Sequence, residues 1–304
     1  MKADLPFTKD VAISAGSAEP NHSRGWKSTI VAIRKWPVNL KIGAGIVFVI
    51  LLGGVLAPFL SPYNPIVGDF KAALLPPGWA HPFGTDNLGR DVLTRVLYAT
   101  RTDLQIGVIA TFVPLVYGLL LGAVAGFRGG WFDRVLMRFV DIAIAFPFLV
   151  LIIVIVAVLG PGINSMYIAV FLVGWTMYCR LARADMLVIR EQEYILAARS
   201  LGFGSWRIIR RHALPGLLAN SLVFAMADVV LNILLVSSLS FLGMGVQPPT
   251  PEWGAIVADG RDFLLQAWWI STLPGIAIIM TGLGFSLVGV GLARMLGQNY
   301  MQTV

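Results

Sequence analysis

Charge is scarce in this chain: Asp, Glu, Lys and Arg together make up 13% of its 304 residues, about half the share of an ordinary soluble domain. Cysteine is scarcer still. Cys179 stands alone, which excludes a disulfide framework, and the three histidines, His22, His81 and His212, are too scattered for metal-ligand spacing. No glycine is followed by lysine, so the chain has no Walker A phosphate loop. Any nucleotide hydrolysis must belong to another chain.

Apolar residues fill the gap, at 57% of the sequence with a mean hydropathy of +0.78. That composition describes a polytopic, all-α membrane protein. The net charge of +7 would suit nucleic acid only on a basic face, and here the basic residues sit in short segments between apolar runs. Membrane lipid is the expected surroundings, and nucleic acid is not an expected partner.

Six crossings are expected. Residues 1–41 form a polar tail, and the apolar run at 42–60 begins too deep for a cleaved signal peptide, so it reads as a retained first span. An outward segment, 61–103, precedes an uncharged run at 104–127, long enough to cross about 30 Å of hydrocarbon. The stretch 141–180 is too long for one crossing, and Gly160-Pro161-Gly162-Ile163-Asn164 divides it into a hairpin of spans three and four. Arg180 and Arg183 are expected to snorkel to the interface and Asp141 to be interfacial. Spans five and six follow at 215–241 and 267–292, so five spans make a core at 104–294, with a loop at 186–215 and a short tail at 295–304. Eighteen basic residues fall on the side of the tails and of that loop, against five (Lys71, Arg90, Arg95, Arg101, Arg261) on the other. The positive-inside rule puts both termini and the loop in the cytoplasm.

The polar island at 191–215, EQEYILAARSLGFGSWRIIRRHALP, organises the rest. Tyr194, Ala197, Ala198 and Leu201 recur at helical spacing, so they are expected to be buried while Glu193, Arg199 and Ser200 stay wet. Gly202 ends that helix, because glycine takes positive φ without a Cβ clash. Ser205 is expected to cap a second short helix, and Pro215 to open a third. An ordinary amphipathic connector would show the same spacing.

These residues resemble the EAA loop of the membrane subunits of bacterial binding-protein-dependent ABC importers. Ala197, Ala198, Gly202, Leu214 and Pro215 match its offsets, Leu196 stands where the acidic residue is expected, and His212 stands where isoleucine is commonest. Glu193, one turn earlier, is the available acidic substitute. The segments at 81–91 (HPFGTDNLGRD), 238–245 (SLSFLGMG) and 247–261 (QPPTPEWGAIVADGR) are similar to the dipeptide, oligopeptide and nickel branch of the family, C-type subunit, over about residues 42–294.

The resemblance implies a type I importer (MetI-like) permease fold in the bacterial inner membrane and no enzymatic activity in this chain. It implies a homologous second permease making a heterodimer, two cytoplasmic ATPases holding ATP and Mg, and a periplasmic or lipid-anchored binding protein. Glu193, Ala197, Ala198, Gly202, Ser205, Trp206, Arg207, Ile209, His212, Leu214 and Pro215 would form the ATPase-coupling loop. Pro248, Pro249, Trp253 and Asp259 lie where the binding protein would dock, although such loops also serve only to seal helices.

Inside the membrane, Gly118, Gly122 and Gly126 make a flat stripe for close helix packing. Asp228 lies within span five, where burying a charge is costly; it either lines a translocation path or is satisfied by neighbouring helices. An ion-coupled secondary transporter using Asp228 is the alternative function, and an integral-membrane enzyme would need a catalytic cluster that the sequence lacks.

Overall fold

The computed structural model describes residues 36–301, with side chains through 297. The expected tail residues 1–35 and 302–304 lie outside the described residues. Among those described there is no strand, only an isolated bridge between Thr85 and Asp91. Helices dominate because the long apolar runs leave backbone amides and carbonyls with no water to bond, and a helix satisfies them internally.

Helix α1, Val38–Leu60, starts at Pro37 and takes Lys41 into its first turn, four residues ahead of the expected span. Helix α2, Val92–Arg128, is 37 residues long, about 55 Å, so it projects well beyond the hydrocarbon. Its start was expected at 104. The preceding turns carry Arg95, Arg101 and Asp103, which hid them from a hydropathy reading. Asp91 caps this helix by accepting from the Thr94 amide at 2.8 Å.

The third span also departs from expectation. Helix α3, Gly130–Ala145, and helix α4, Phe148–Leu159, meet at an 88° bend. The cause is Pro147, which disfavours the helical region for Phe146, and Phe146 is extended at φ −90° and ψ 141°. Helix α4 alone, about 18 Å long, is shorter than a bilayer core. The described residues therefore hold five helices long and apolar enough to cross singly, or six spans if the bent pair counts as one.

After a turn at Gly160 and Gly162, both at positive φ, helix α5 runs Ile163–Ile189. Short helices α6, Glu193–Ser200, and α7, Ser205–Ile208, lead into α8, Leu214–Phe241. Helix α9, Trp253–Gly260, and helix α10, Trp269–Met301, complete the fold. Helix α2 packs along α5 on one side and α8 on another, while α10 lies against α1, α8 and α9.

The glycine stripe explains the first of these contacts. A β-carbon at Gly118 would stand 2.6 Å from the Trp175 carbonyl oxygen, and one at Gly126 would stand 2.8 Å from the Met186 Cβ. The close neighbour is therefore α5 of the same chain. Arg180 and Arg183 lie in the C-terminal half of α5. They pair with acids on α3: Arg180 donates to Asp141 at 2.6 Å, and Arg183 grips Asp133 with two nitrogens.

Candidate functional site

Residues 191–215 fold as one element with a single sharp bend. At the end of α6 the Leu201, Gly202 and Phe203 amides donate to the carbonyls of Ala197, Arg199 and Ala198, at 3.0, 2.9 and 3.1 Å. The last two bonds form a Schellman motif, which needs its penultimate residue left-handed, and Gly202 has φ +78°. A β-carbon there would meet nothing within 4 Å. Glycine is required by the backbone angle, not by lack of room.

One expectation fails beyond the bend. Ser205 makes no capping bond, because Gly204 takes the cap position and leaves the serine inside the first turn. Pro215 stands in the first turn of α8, as expected, but no loop precedes it: residues 209–213 form a π-helical turn in which the Leu214 amide donates to the Ile209 carbonyl, so that α7 runs on into α8. A proline lacks the amide and crowds the carbonyl four residues back, here that of Arg211, so a widened turn before it relieves the clash.

Burial divides this element into an anchored face and a free one. Ile195, Ala198, Ile208, Ile209 and Ala213 are buried with Phe127, Met186 and Leu217 in a single apolar cluster. Tyr194, Leu196, Leu201 and Trp206 are exposed, Leu201 at 74% and Trp206 at 59%. The expected phase was the reverse for Tyr194, Ala197 and Leu201; Ile195 and Ala198, three apart, are the pair that reaches the core. Glu193 is exposed and makes no ion pair among the described residues, so it replaces no acidic partner within the chain. Arg207 lies 5.4 Å from the Phe203 ring centre, and Phe203 stacks on His212 at 6.1 Å. These contacts stiffen the second limb of the bend.

At the opposite end of α8, an ionic cluster, buried except at Asp259, ties the 81–91 loop to α9. Asp86 accepts from Arg90 at 2.6 Å and Arg95 at 2.7 Å, and Asp259 accepts from the same two arginines at 3.1 Å. Trp253 is fully buried, its indole N–H donating to the Val96 carbonyl, so it cannot touch a docking protein and is corrected to a packing residue. Pro248 and Pro249 are exposed, and Pro248 lines a cavity of about 620 Å³ together with Asn87, Gln247 and Asp259.

Asp228 lies midway along α8 and is half-buried. It accepts from the Tyr178 hydroxyl at 2.7 Å and the Asn232 amide at 3.2 Å, and Asn232 also donates to Thr111 at 2.9 Å. Two helices, α5 and α8 itself, thus satisfy one carboxylate oxygen, and Asn232 links the pair to α2. Asn232, one turn beyond Asp228, was the signal available in the sequence; Tyr178 and Thr111 had none. Among the described residues no cluster of side chains is suited to hold a metal.

Comparison with known proteins gives a consistent result. A family model for the binding-protein-dependent transport system inner membrane component matches residues 118–302. A probable D,D-dipeptide transport system permease protein of Escherichia coli (strain K12) is 39% identical over 253 residues, covering 83% of this chain and 85% of that protein. A putative peptide transport system permease protein of Brucella suis biovar 1 is 42% identical over 261 residues, with 85% and 87% covered. A glutathione transport system permease protein of Pectobacterium atrosepticum is 38% identical over 257 residues, with 84% and 85% covered.

Proposed function

This chain belongs to the family of inner membrane components of binding-protein-dependent transport systems, and from that premise we propose that it forms half of the channel of an ATP-driven importer for peptides or a related small solute. The expected partners are a homologous second permease, two cytoplasmic ATPases carrying ATP and Mg, and an extracytoplasmic binding protein. The 186–215 loop then faces the cytoplasm, a placement that the asymmetry of basic residues supports.

The observation that carries this reading is the bent element itself. Its inner face is locked into the core, its outer face offers Tyr194, Leu196, Leu201 and Trp206, and its second limb is continuous with α8. A short helix seated in a partner's groove transmits force only when its bend is rigid and its apolar anchors fit. ATP-driven closure of the ATPases would shift α6 and α7 together, and α8 would tilt with them between inward-open and outward-open states. Cargo choice would rest largely with the binding protein. A passive connector would have no reason to hold three large apolar side chains and a tyrosine in water beside a well-packed core.

Purification of the intact complex tests the proposal. Leu201→Asp with Trp206→Asp should release the ATPases while the second permease stays bound, because both side chains are exposed and make no contribution to the core. Retention of the ATPases at the parental ratio would contradict the assignment.

A further inference from the structure

Helix α3 has two unlike faces. Its inner face carries Asp133 and Val140, both buried, with Asp133 held by Arg183. Asp141, near its other end, is held by Arg180. Helix α3 stands at 88° to α4, whose sequence contains no polar side chain and suits the hydrocarbon. This places α3 close to the membrane plane, at the level where α5 acquires its arginines.

The outer face of α3 combines residues that neither hydrocarbon nor water alone would select. Trp131 (72% exposed), Phe139 and Ile142 lie beside the exposed Arg134 and Arg138, and together with Val135 they line a shallow groove of about 450 Å³. A helix facing lipid tails would not carry two arginines, and one facing water would not carry a tryptophan, a phenylalanine and an isoleucine on the same strip. Their mixture suits the headgroup zone, where aromatic rings and long basic side chains both find their solvent.

The charge on this strip is also uncompensated. Both acids of α3 are taken by the arginines of α5, and among the described residues neither Arg134 nor Arg138 has an acidic partner; Arg134 reaches only the Gly130 carbonyl, at 3.3 Å. Arginines four residues apart on a helix are neighbours and can clamp one phosphate between them.

We propose that the outer face of α3 is a binding site for anionic phospholipid. The phosphate sits between Arg134 and Arg138, the first acyl carbons lie over Phe139 and Ile142, and Trp131 lies at headgroup level. Charge complementarity selects the acidic lipid over a zwitterionic one. The site is independent of the coupling role assigned to residues 186–215, and its test reads lipid contact, not transport.

The test uses the whole transporter in phosphatidylcholine nanodiscs, titrated with brominated phosphatidylglycerol or, separately, brominated phosphatidylcholine. Bromine quenches only nearby tryptophans, so phosphatidylglycerol should give a saturable quenching component that Trp131→Phe removes. Arg134→Gln with Arg138→Gln should raise the half-saturating lipid fraction about thirtyfold, at the strength of basic residues near an anionic surface, and Arg138→Gln alone about fivefold. The single variant serves if the double one fails to assemble, since Arg138 bonds no other side chain among the described residues. Equal quenching by the two lipids, or Arg138→Gln titrating like the parent, would overturn the site. So would a photo-crosslinker at Ile142 that captures a protein chain instead of lipid.

Discussion

The carbonyl oxygen of Cys179 occupies the space that a β-carbon on Gly122 would need. Helices α2 and α5 meet backbone to backbone at this point, and Ala182 closes in from the next turn. In a membrane, where burying apolar surface brings little gain, such close van der Waals approach is the main force between helices.

Gly122→Leu should therefore separate α2 from α5 and lower the thermal midpoint of the purified permease pair, with a loss of yield. Gly122→Ala should do the same in milder form, at about 1–3 kcal/mol of overpacking. An unchanged midpoint for the leucine variant would mean that the stripe is not a contact.

Orientation is tested by labelling. Ser205 and Thr250 are both exposed and lie beyond opposite ends of α8, whereas Cys179 is fully buried. In a Cys179→Ala background, Thr250→Cys should react with an impermeant thiol reagent from the periplasmic side, and Ser205→Cys should react only after the membrane is opened. Labelling of position 205 in sealed, right-side-out vesicles would reverse the topology.

Much of this architecture is legible in the sequence because hydropathy and glycine chemistry are local. The apolar runs announce the spans, the 160–162 turn divides the hairpin, and Gly202 marks the bend. What the sequence hides has specific causes. Pro147 was visible, but its effect on Phe146 was masked by the uninterrupted apolar run around it. The face of α6 was misread because residues three and four apart fit two overlapping stripes, and only the position of Phe127 and Met186 selects Ile195 and Ala198. Pro215 marks the start of α8, but nothing local announces the π turn before it. The cluster of Asp86, Arg90, Arg95 and Asp259 joins segments more than 160 residues apart, and no local pattern encodes it.

Asp228 discriminates the importer from an ion-coupled carrier. Its Oδ2 is already bonded to Tyr178 and Asn232, as expected of a carboxylate that helps knit three helices together. Asp228→Asn keeps an acceptor there for the tyrosine hydroxyl and should leave ATP-driven uptake within a few-fold of the parent. Uptake should also persist when a protonophore collapses the proton gradient in vesicles supplied with internal ATP. Loss of uptake in both experiments would favour the ion-coupled alternative.

The most direct test falls on Gly202. Its φ of +78° costs a β-branched residue about 1–3 kcal/mol, while the open space around it means that nothing else obstructs the substitution. Gly202→Val should insert in the membrane and pair with its partner permease at normal levels, yet misaim α7. The measurement is ATP hydrolysis stimulated by the binding protein, together with solute uptake, in vesicles containing the reconstituted complex. Both should fall together in Gly202→Val and fall less in Gly202→Asn, since asparagine tolerates the left-handed region. Full stimulation and full uptake in the valine variant at normal protein levels would contradict the account, because the bend would then transmit nothing.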